Sequence, residues 1–247
     1  MLERHTVTTL PPTLYYIPDF INPEEEDFLW EHIYASPLYK WVALKARRLQ
    51  NWGGVPHQRG MLKETIPDWL QTFMDRVSSL GIFSGKKANH ALVNEYLPGQ
   101  GIFPHHDGPL YYPAVSTINL GSYGVLDFYK PVQDVPDDEN NMSNTLKQRY
   151  IGSVLLEPRS LNIVTDELYT YYMHGIAEAR SDKICSEKDC GDTPLSSECH
   201  AARIVNWPSD RVVKCSSRTR GTRISVTIRH VPVVSKLDVQ KLLKKSY

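Results

Sequence analysis

ALVNEYLPGQ, residues 91–100, is the point at which the sequence changes its period. Up to Gly81 the apolar residues recur at helical spacing. From Ala91 onward they come in runs of strand length, broken by Gly and Pro turns. The runs are ALVNEYL (91–97), VSTINL (115–120), VLDFY (125–129), SVLLEP (153–158), LNIV (161–164) and RISVTIRH (223–230). Working back from residue 91, a helix is expected over about Pro67–Leu80. Trp69, Leu70, Phe73, Met74, Val77 and Leu80 form its stripe, and Gly81 is its stop. An earlier helix starts at Pro23, where Asn22 and Glu25 have capping-box spacing and Glu24, Glu25 and Glu26 favour the positive end of the helix dipole. LYYIPDFI (14–21) precedes it as a strand. Short strands following two one-faced helices imply a mainly β (α+β) chain, a β-sandwich with N-terminal helices packed on one sheet.

The 247 residues fit one such domain spanning 1–247, and the composition, 41% hydrophobic and 23% charged, is that of a chain with a packed core rather than a disordered one. Lys and Arg total 28 against 28 Asp and Glu, so no global basic field is present and any nucleic-acid contact must rest on a local patch. MLERHTVTTLPP lacks the apolar segment of a signal peptide and no apolar run approaches a membrane span, so no membrane partner is expected, and the nucleus and cytoplasm are the expected locations. Cys185, Cys190, Cys199 and Cys215 sit in one polar segment with neither disulfide-framework nor zinc-ligand spacing, and read as free thiols in a surface loop. Two such loops are expected, about 132–144 and about 178–220.

The chemistry is carried by three separated pieces. In GIFPHHDGP (101–109), His105 and Asp107 are two residues apart, so on extended backbone both leave the same face, while His106 points elsewhere. His174, in YMHGI, supplies a second imidazole. Two His and one carboxylate with open positions form the facial triad of non-haem Fe(II) oxygenases, although an HxD with a distant His also fits solvated turn residues. In RISVTIR (223–229), strict alternation puts Arg223, Ser225, Thr227 and Arg229 on one face and Ile224, Val226 and Ile228 on the other. The polar face either lies in solvent or holds an anion. A guanidinium beside hydroxyls suits the distal carboxylate of 2-oxoglutarate. Asn94 and Tyr96, on one face of ALVNEYL, approach the same keto acid from another side.

Taken in order, N-x-Y, a Pro-Gly turn, H-x-D, a distal H-G-I and R-x-S-x-T-x-R resemble the AlkB family of Fe(II)/2-oxoglutarate dioxygenases, over roughly Leu14–Val231. More narrowly, LQNWGG, VNEYLPG, HHDGPLYYP, VSTINLGS, LDFY and RGTRISVTIR are similar to the sixth animal homologue type within it. The resemblance implies a double-stranded β-helix (jelly roll), Fe(II) on His105, Asp107 and His174, and O2 as oxidant. It implies 2-oxoglutarate on Arg223 with Asn94, Tyr96, Ser225 and Thr227, and Arg229 near Asp107 and the reacting centre. It further implies oxidative demethylation of alkylated nucleic acid, single-stranded DNA or RNA. The family places a lid at about residues 41–60, which nominates Arg48, Asn51 and Trp52 as substrate contacts. Cations among aromatics there suit phosphates and a stacked base, or equally a rim around core tryptophans. Tyr111 and Tyr112 border the pocket in this reading, Lys86 and Lys87 extend the rim, and Gly53-Gly54 gives the lid freedom to move. Gly108-Pro109 departs from the polar residues that repair members place after the ligand Asp. The alternatives are a 2-oxoglutarate oxygenase acting on protein or lipid, and a non-catalytic nucleic-acid binding module on the same scaffold.

Overall fold

The computed structural model describes residues 2–11, 14–134, 142–185, 199–206 and 216–235. Two antiparallel sheets face one another across the interior. The larger comprises β1 (Leu14–Ile17), β2 (Val42–Leu44), β3 (Arg47–Trp52), β4 (His90–Tyr96), β6 (Ala114–Gly121), β9 (Leu161–Thr165) and β14 (Arg223–Arg229), in the order β1-β9-β6-β14-β4-β3-β2. The smaller comprises β5 (Ile102–His105), β7 (Gly124–Tyr129), β8 (Tyr150–Leu156) and β10 (Met173–Ile176), in the order β5-β10-β7-β8. This is a jelly roll with helices on one sheet. Placing β14 between β6 and β4 puts the last strand of the sequence motif at the centre of the larger sheet.

Alternation along the strands divides the interior in two. Ile224, Val226 and Ile228 of β14, with Ala91, Val93, Ile118 and Leu120, face the helices α1 (Pro23–Tyr34) and α2 (Asp68–Ser78), which contribute Leu29, Ile33, Leu70, Phe73, Met74 and Val77. Each fully buried side chain of this size is worth about 1.5–3 kcal/mol, so this layer anchors the sheet. The capping box that starts α1 forms as its spacing requires: Glu25 N donates to Asn22 Oδ1 over 2.8 Å, and Asn22 N donates to Glu25 Oε2 over 2.9 Å. The opposite face of the larger sheet, with Val115 and Val164, meets Leu126, Val154, Leu156 and Ile176 of the smaller one.

The expected loop at about 178–220 is replaced, among its described residues, by a third sheet. It consists of β11 (Ser181–Cys185), β12 (Cys199–Arg203) and β13 (Ser216–Thr219), with β11 central. Ile184, Ala202 and Ile204 cover Tyr123, Val125 and Leu155 on the outer face of the smaller sheet. A buried bidentate pair between Arg220 and Asp182, joined by the Tyr123 hydroxyl, closes this layer. Local polarity hides these strands because β11 buries only every second described residue, Asp182 and Ile184, and Asp182 is satisfied by Arg220 and Tyr123. Cys190 and Cys215 lie outside the described residues, so the free-thiol reading of the four cysteines is left there. The expected loop at about 132–144 is likewise partly helical, since α3 (Met142–Arg149) begins inside it; residues 135–141 are outside the described set. A fourth helix, α4 (Asp166–Thr170), leads from β9 toward β10.

The region expected to be a lid, 41–60, is in part a β-hairpin continuing the larger sheet at its edge, because β3 pairs with β4 in regular antiparallel register. Nor is Gly53-Gly54 built for mobility. Both residues are buried at positive φ, and a Cβ would meet the Asn89 carbonyl oxygen at 2.2 Å at Gly53 and the Leu62 carbonyl oxygen at 2.1 Å at Gly54. Glycine stands there because two backbones pass too close for any side chain. No helix among the described residues is long and apolar enough to cross a membrane.

Candidate active site

Two paired strands and the turn after one of them deliver the three candidate metal ligands. β5 and β10 are paired so that His105 and His174 are Cα partners, with ring centroids 4.7 Å apart. Asp107 follows β5 immediately, and ligand atoms of the three residues lie within 4.8 Å of one another. Such spacing suits one metal ion rather than three independent groups. The His105 ring points Nδ1 at the Phe103 carbonyl oxygen over 2.9 Å, which makes Nδ1 the donor and leaves Nε2 as a lone-pair ligand. Burial, partly opposed by the Asp107 carboxylate, keeps His174 neutral by lowering its pKa to about 4, the state a metal requires. Burial alone would raise the Asp107 carboxyl, but Arg229 and the two imidazoles outweigh it and hold the group below the ordinary carboxylate range. Arg229 Nη2 donates to Asp107 Oδ1 over 2.5 Å, whereas Asp107 Oδ2 is buried without a partner. An ionised oxygen with no donor, beside two imidazoles, is the donor set a divalent cation would complete.

The candidate keto-acid residues share the face of the larger sheet that looks toward this centre. All seven residues of β14 are buried, so its polar side lies in the interior rather than in solvent. Arg223, Ser225, Thr227 and Arg229 line a cavity of about 230 Å³ together with Asn94, Tyr96 and the three candidate metal ligands. Arg223 is held by Asn119, whose Oδ1 accepts from Nη2 over 2.6 Å, while its Nε and Nη1 are buried and unpartnered. Burial, with Arg220 nearby, lowers this guanidinium to about 10. Unsatisfied buried donors cost about 1–3 kcal/mol each, so two on one arginine mark a place meant for an anion. Tyr96 lies under the same guanidinium, 5.6 Å from its ring centroid to Cζ. Asn119 was not singled out from the sequence, because an Asn in a strand gives no signal until the cross-strand register is known.

The candidate substrate residues divide less favourably. Tyr111 lines the cavity, with Arg229 Cζ 4.6 Å from its ring centroid. Tyr112 instead turns into the helix-side core and bonds Ser84. Trp52 is buried in that same core, with its indole N–H on Gln50 and its ring edge-on to Trp69, so it is a packing residue and not a lid contact. Arg48 shares that side of β3: it pairs with Glu95, and its guanidinium lies 4.1 Å from the Trp41 ring centroid. Strict alternation puts Arg47 and Asn51 on the opposite, cavity-facing side, and there Arg47 reaches the cavity lining while Asn51 does not. Arg47 and Arg48 differ by one residue, which on a strand is a difference of face. Lys86 and Lys87 are exposed and away from the lining, Lys87 being 3.7 Å from Asp75. His106 is exposed, yet it borders the cavity mouth.

Comparison with known proteins agrees with this geometry. Residues 31–229 match the model of the 2OG-Fe(II) oxygenase superfamily. The chain is 45% identical over 238 residues to the probable RNA/DNA demethylase ALKBH6 of Danio rerio, covering 96% of this chain and 94% of that protein. It is also similar to the tRNA (carboxymethyluridine(34)-5-O)-methyltransferase alkbh8 of Xenopus tropicalis, at 27% identity over 90% of this chain but 32% of that longer protein. Among solved structures it resembles that of OsALKBH1, with a TM-score of 0.54, 12% identity, and coverage of 90% of this chain and 98% of that one; this likeness supports the fold alone.

Proposed function

Because the chain belongs to the 2OG-Fe(II) oxygenase superfamily, we propose that this dioxygenase acts on nucleic acid, removing an alkyl group oxidatively from single-stranded DNA or RNA. Members of the family use Fe(II), 2-oxoglutarate and O2. In this reading His105, Asp107 and His174 hold the iron, and Arg223 takes the distal carboxylate of the keto acid. The chemistry supplied there would be that of O2 with 2-oxoglutarate: one oxygen atom would pass to the keto acid, giving succinate and CO2, and the other to a methyl C–H, giving a hydroxymethyl group that leaves nitrogen as formaldehyde.

The protein's own share of the work is electrostatic and steric. Arg229 fixes Asp107 Oδ1, so the carboxylate presents its other oxygen to the metal position. Ser225 and Thr227 border the space between Arg223 and Arg229, and Asn119 keeps Arg223 aimed into it. Tyr111, braced by Arg229, stands where an incoming substrate group enters. The observation that carries the reading is the set of orphaned groups in one cavity: Asp107 Oδ2 calls for a cation, and Arg223 Nε and Nη1 call for an anion.

The choice of nucleic acid rests on the name of the similar zebrafish protein and on the hairpin β2–β3. That hairpin carries Lys45, exposed on its turn, and Tyr39, which precedes it, is 81% exposed. An exposed ring and an exposed cation on one edge of the sheet suit an unpaired base and its phosphates. The test is anaerobic loading with Fe(II) and 2-oxoglutarate, detection of the weak visible charge-transfer band, and then admission of O2 in the presence of methylated single-stranded DNA and RNA. Formaldehyde in step with succinate is the expected result. Succinate formed without any dependence on either nucleic acid would move the substrate to another class.

A further inference from the structure

Arg47 lines the cavity from the third strand of the row that carries the candidate keto-acid residues. The register of the larger sheet pairs Arg48 with Glu95, which sets Arg47 beside Tyr96 of β4, and Tyr96 is in turn the Cα partner of Arg223 on β14. Arg47, Tyr96 and Arg223 therefore form one row across three adjacent strands, and all three line the cavity. Neighbouring strands are about 4.8 Å apart, so the two arginine backbones flank Tyr96 and stand about 10 Å from each other, within reach of a common ligand. The Tyr96 phenol lies within the fields of both guanidinium groups.

One contact gives Arg47 a role. Its Nε donates to Asn94 Oδ1 over 3.1 Å. An amide whose carbonyl oxygen is turned toward a guanidinium directs its NH2 group to the other side, where a ligand can accept from it. Among the described residues no carboxylate pairs with Arg47, so its remaining N–H groups are not committed to an ion pair.

We propose that Arg47 is a positioning residue of the 2-oxoglutarate site, acting through Asn94 by holding the amide so that its N–H faces the keto acid. The inference rests on reading the cavity as the keto-acid site. It differs from the lid role considered for the neighbouring Arg48, which lies on the other face of the strand.

The test is calorimetric titration of 2-oxoglutarate into the full chain, without turnover, for wild type, Arg47→Ala, Asn94→Ala, the double variant and Arg223→Ala. Arg47→Ala should weaken binding by about tenfold, and should add less than about twofold in the Asn94→Ala background, because the two residues act as one unit. Binding of a methylated single-stranded oligonucleotide should keep the salt dependence of wild type. If Arg47→Ala melts early, Arg47→Gln, which retains length, is titrated in its place. Unchanged 2-oxoglutarate affinity, or effects that simply add, would overturn the proposal. Weaker oligonucleotide binding with normal keto-acid binding would assign Arg47 to the substrate instead, and also overturn it. If wild type fails to bind 2-oxoglutarate, or Arg223→Ala binds as well as wild type, the underlying keto-acid reading fails and not merely the role of Arg47.

Discussion

Asp107 and His90, both beside Arg229, show how single buried residues tie charge to metal binding and to stability. Asp107 is buried against Arg229, and removing one partner of such a pair leaves the other charge stranded, at a cost of about 3–5 kcal/mol. Asp107→Ala is thus expected to lose iron binding and succinate formation and also to melt earlier, while Asp107→Asn, which keeps an acceptor for Arg229, should lose iron with a smaller fall in Tm. Metal content and thermal melts read the two effects separately; full iron occupancy in both variants would remove Asp107 from the metal site. His90 sits opposite Arg229 in the sheet, buried, with neither ring nitrogen partnered. Burial, and then the Arg229 charge, lower its pKa to about 3. The folded chain keeps this ring neutral below pH 6.5 where the unfolded chain protonates it, so the unfolded state binds more protons and stability falls as the pH drops from about 6.5 toward 3. The slope for one such group approaches about 1.4 kcal/mol per pH unit. Denaturant titrations at pH 7 and pH 5 should show a smaller loss for His90→Phe than for wild type, and an equal loss would mean that His90 does not carry this dependence.

At the scale of elements, the two sides of β14 explain both what was legible and what was not. The alternation of RISVTIR is visible in sequence, and the structure gives it an apolar layer toward the helices and a polar one toward the cavity. Likewise the capping box of α1 and the stripe of α2 depend on residues three or four apart, so a local reading reaches them. What it does not reach depends on register between distant strands: Asn119 beneath Arg223, Arg47 beside Tyr96, and the third sheet formed by polar segments of 178–220. Gly124 at the start of β7 is another case. A Cβ there would stand 2.7 Å from Arg223 Cδ and 2.8 Å from its Nε, so the smaller sheet leaves room for the arginine of the larger one. Gly124→Ala is expected to displace that side chain at a cost of about 1–3 kcal/mol, to weaken 2-oxoglutarate about tenfold, and to leave iron binding intact. Equal losses of both ligands would indicate a general collapse of the cavity rather than a displaced arginine.

For the molecule as a whole, charge balance limits how nucleic acid can be held. Twenty-eight basic and 28 acidic residues leave no net field to attract a polyanion. Several cations are also engaged by carboxylates of the chain itself: Lys40 by Glu64, Arg48 by Glu95 and Lys87 by Asp75. Lys45, on the turn between β2 and β3, has no carboxylate partner among the described residues, which leaves it free to meet a phosphate. Binding built on two or three such contacts releases few counterions, at about 0.7 per phosphate on a single strand. The logarithm of the association constant is therefore expected to fall with the logarithm of salt at a slope of about −1.4 to −2.1, and Lys45→Ala should make that slope shallower by about 0.7. Fluorescence anisotropy of a labelled single-stranded oligonucleotide between 50 and 200 mM salt measures both, the whole range costing only about tenfold in affinity. A slope of about −5 or steeper, unmoved by Lys45→Ala, would show that phosphates are gripped elsewhere on the chain, and that the hairpin serves the keto-acid site through Arg47 rather than the nucleic acid through its edge.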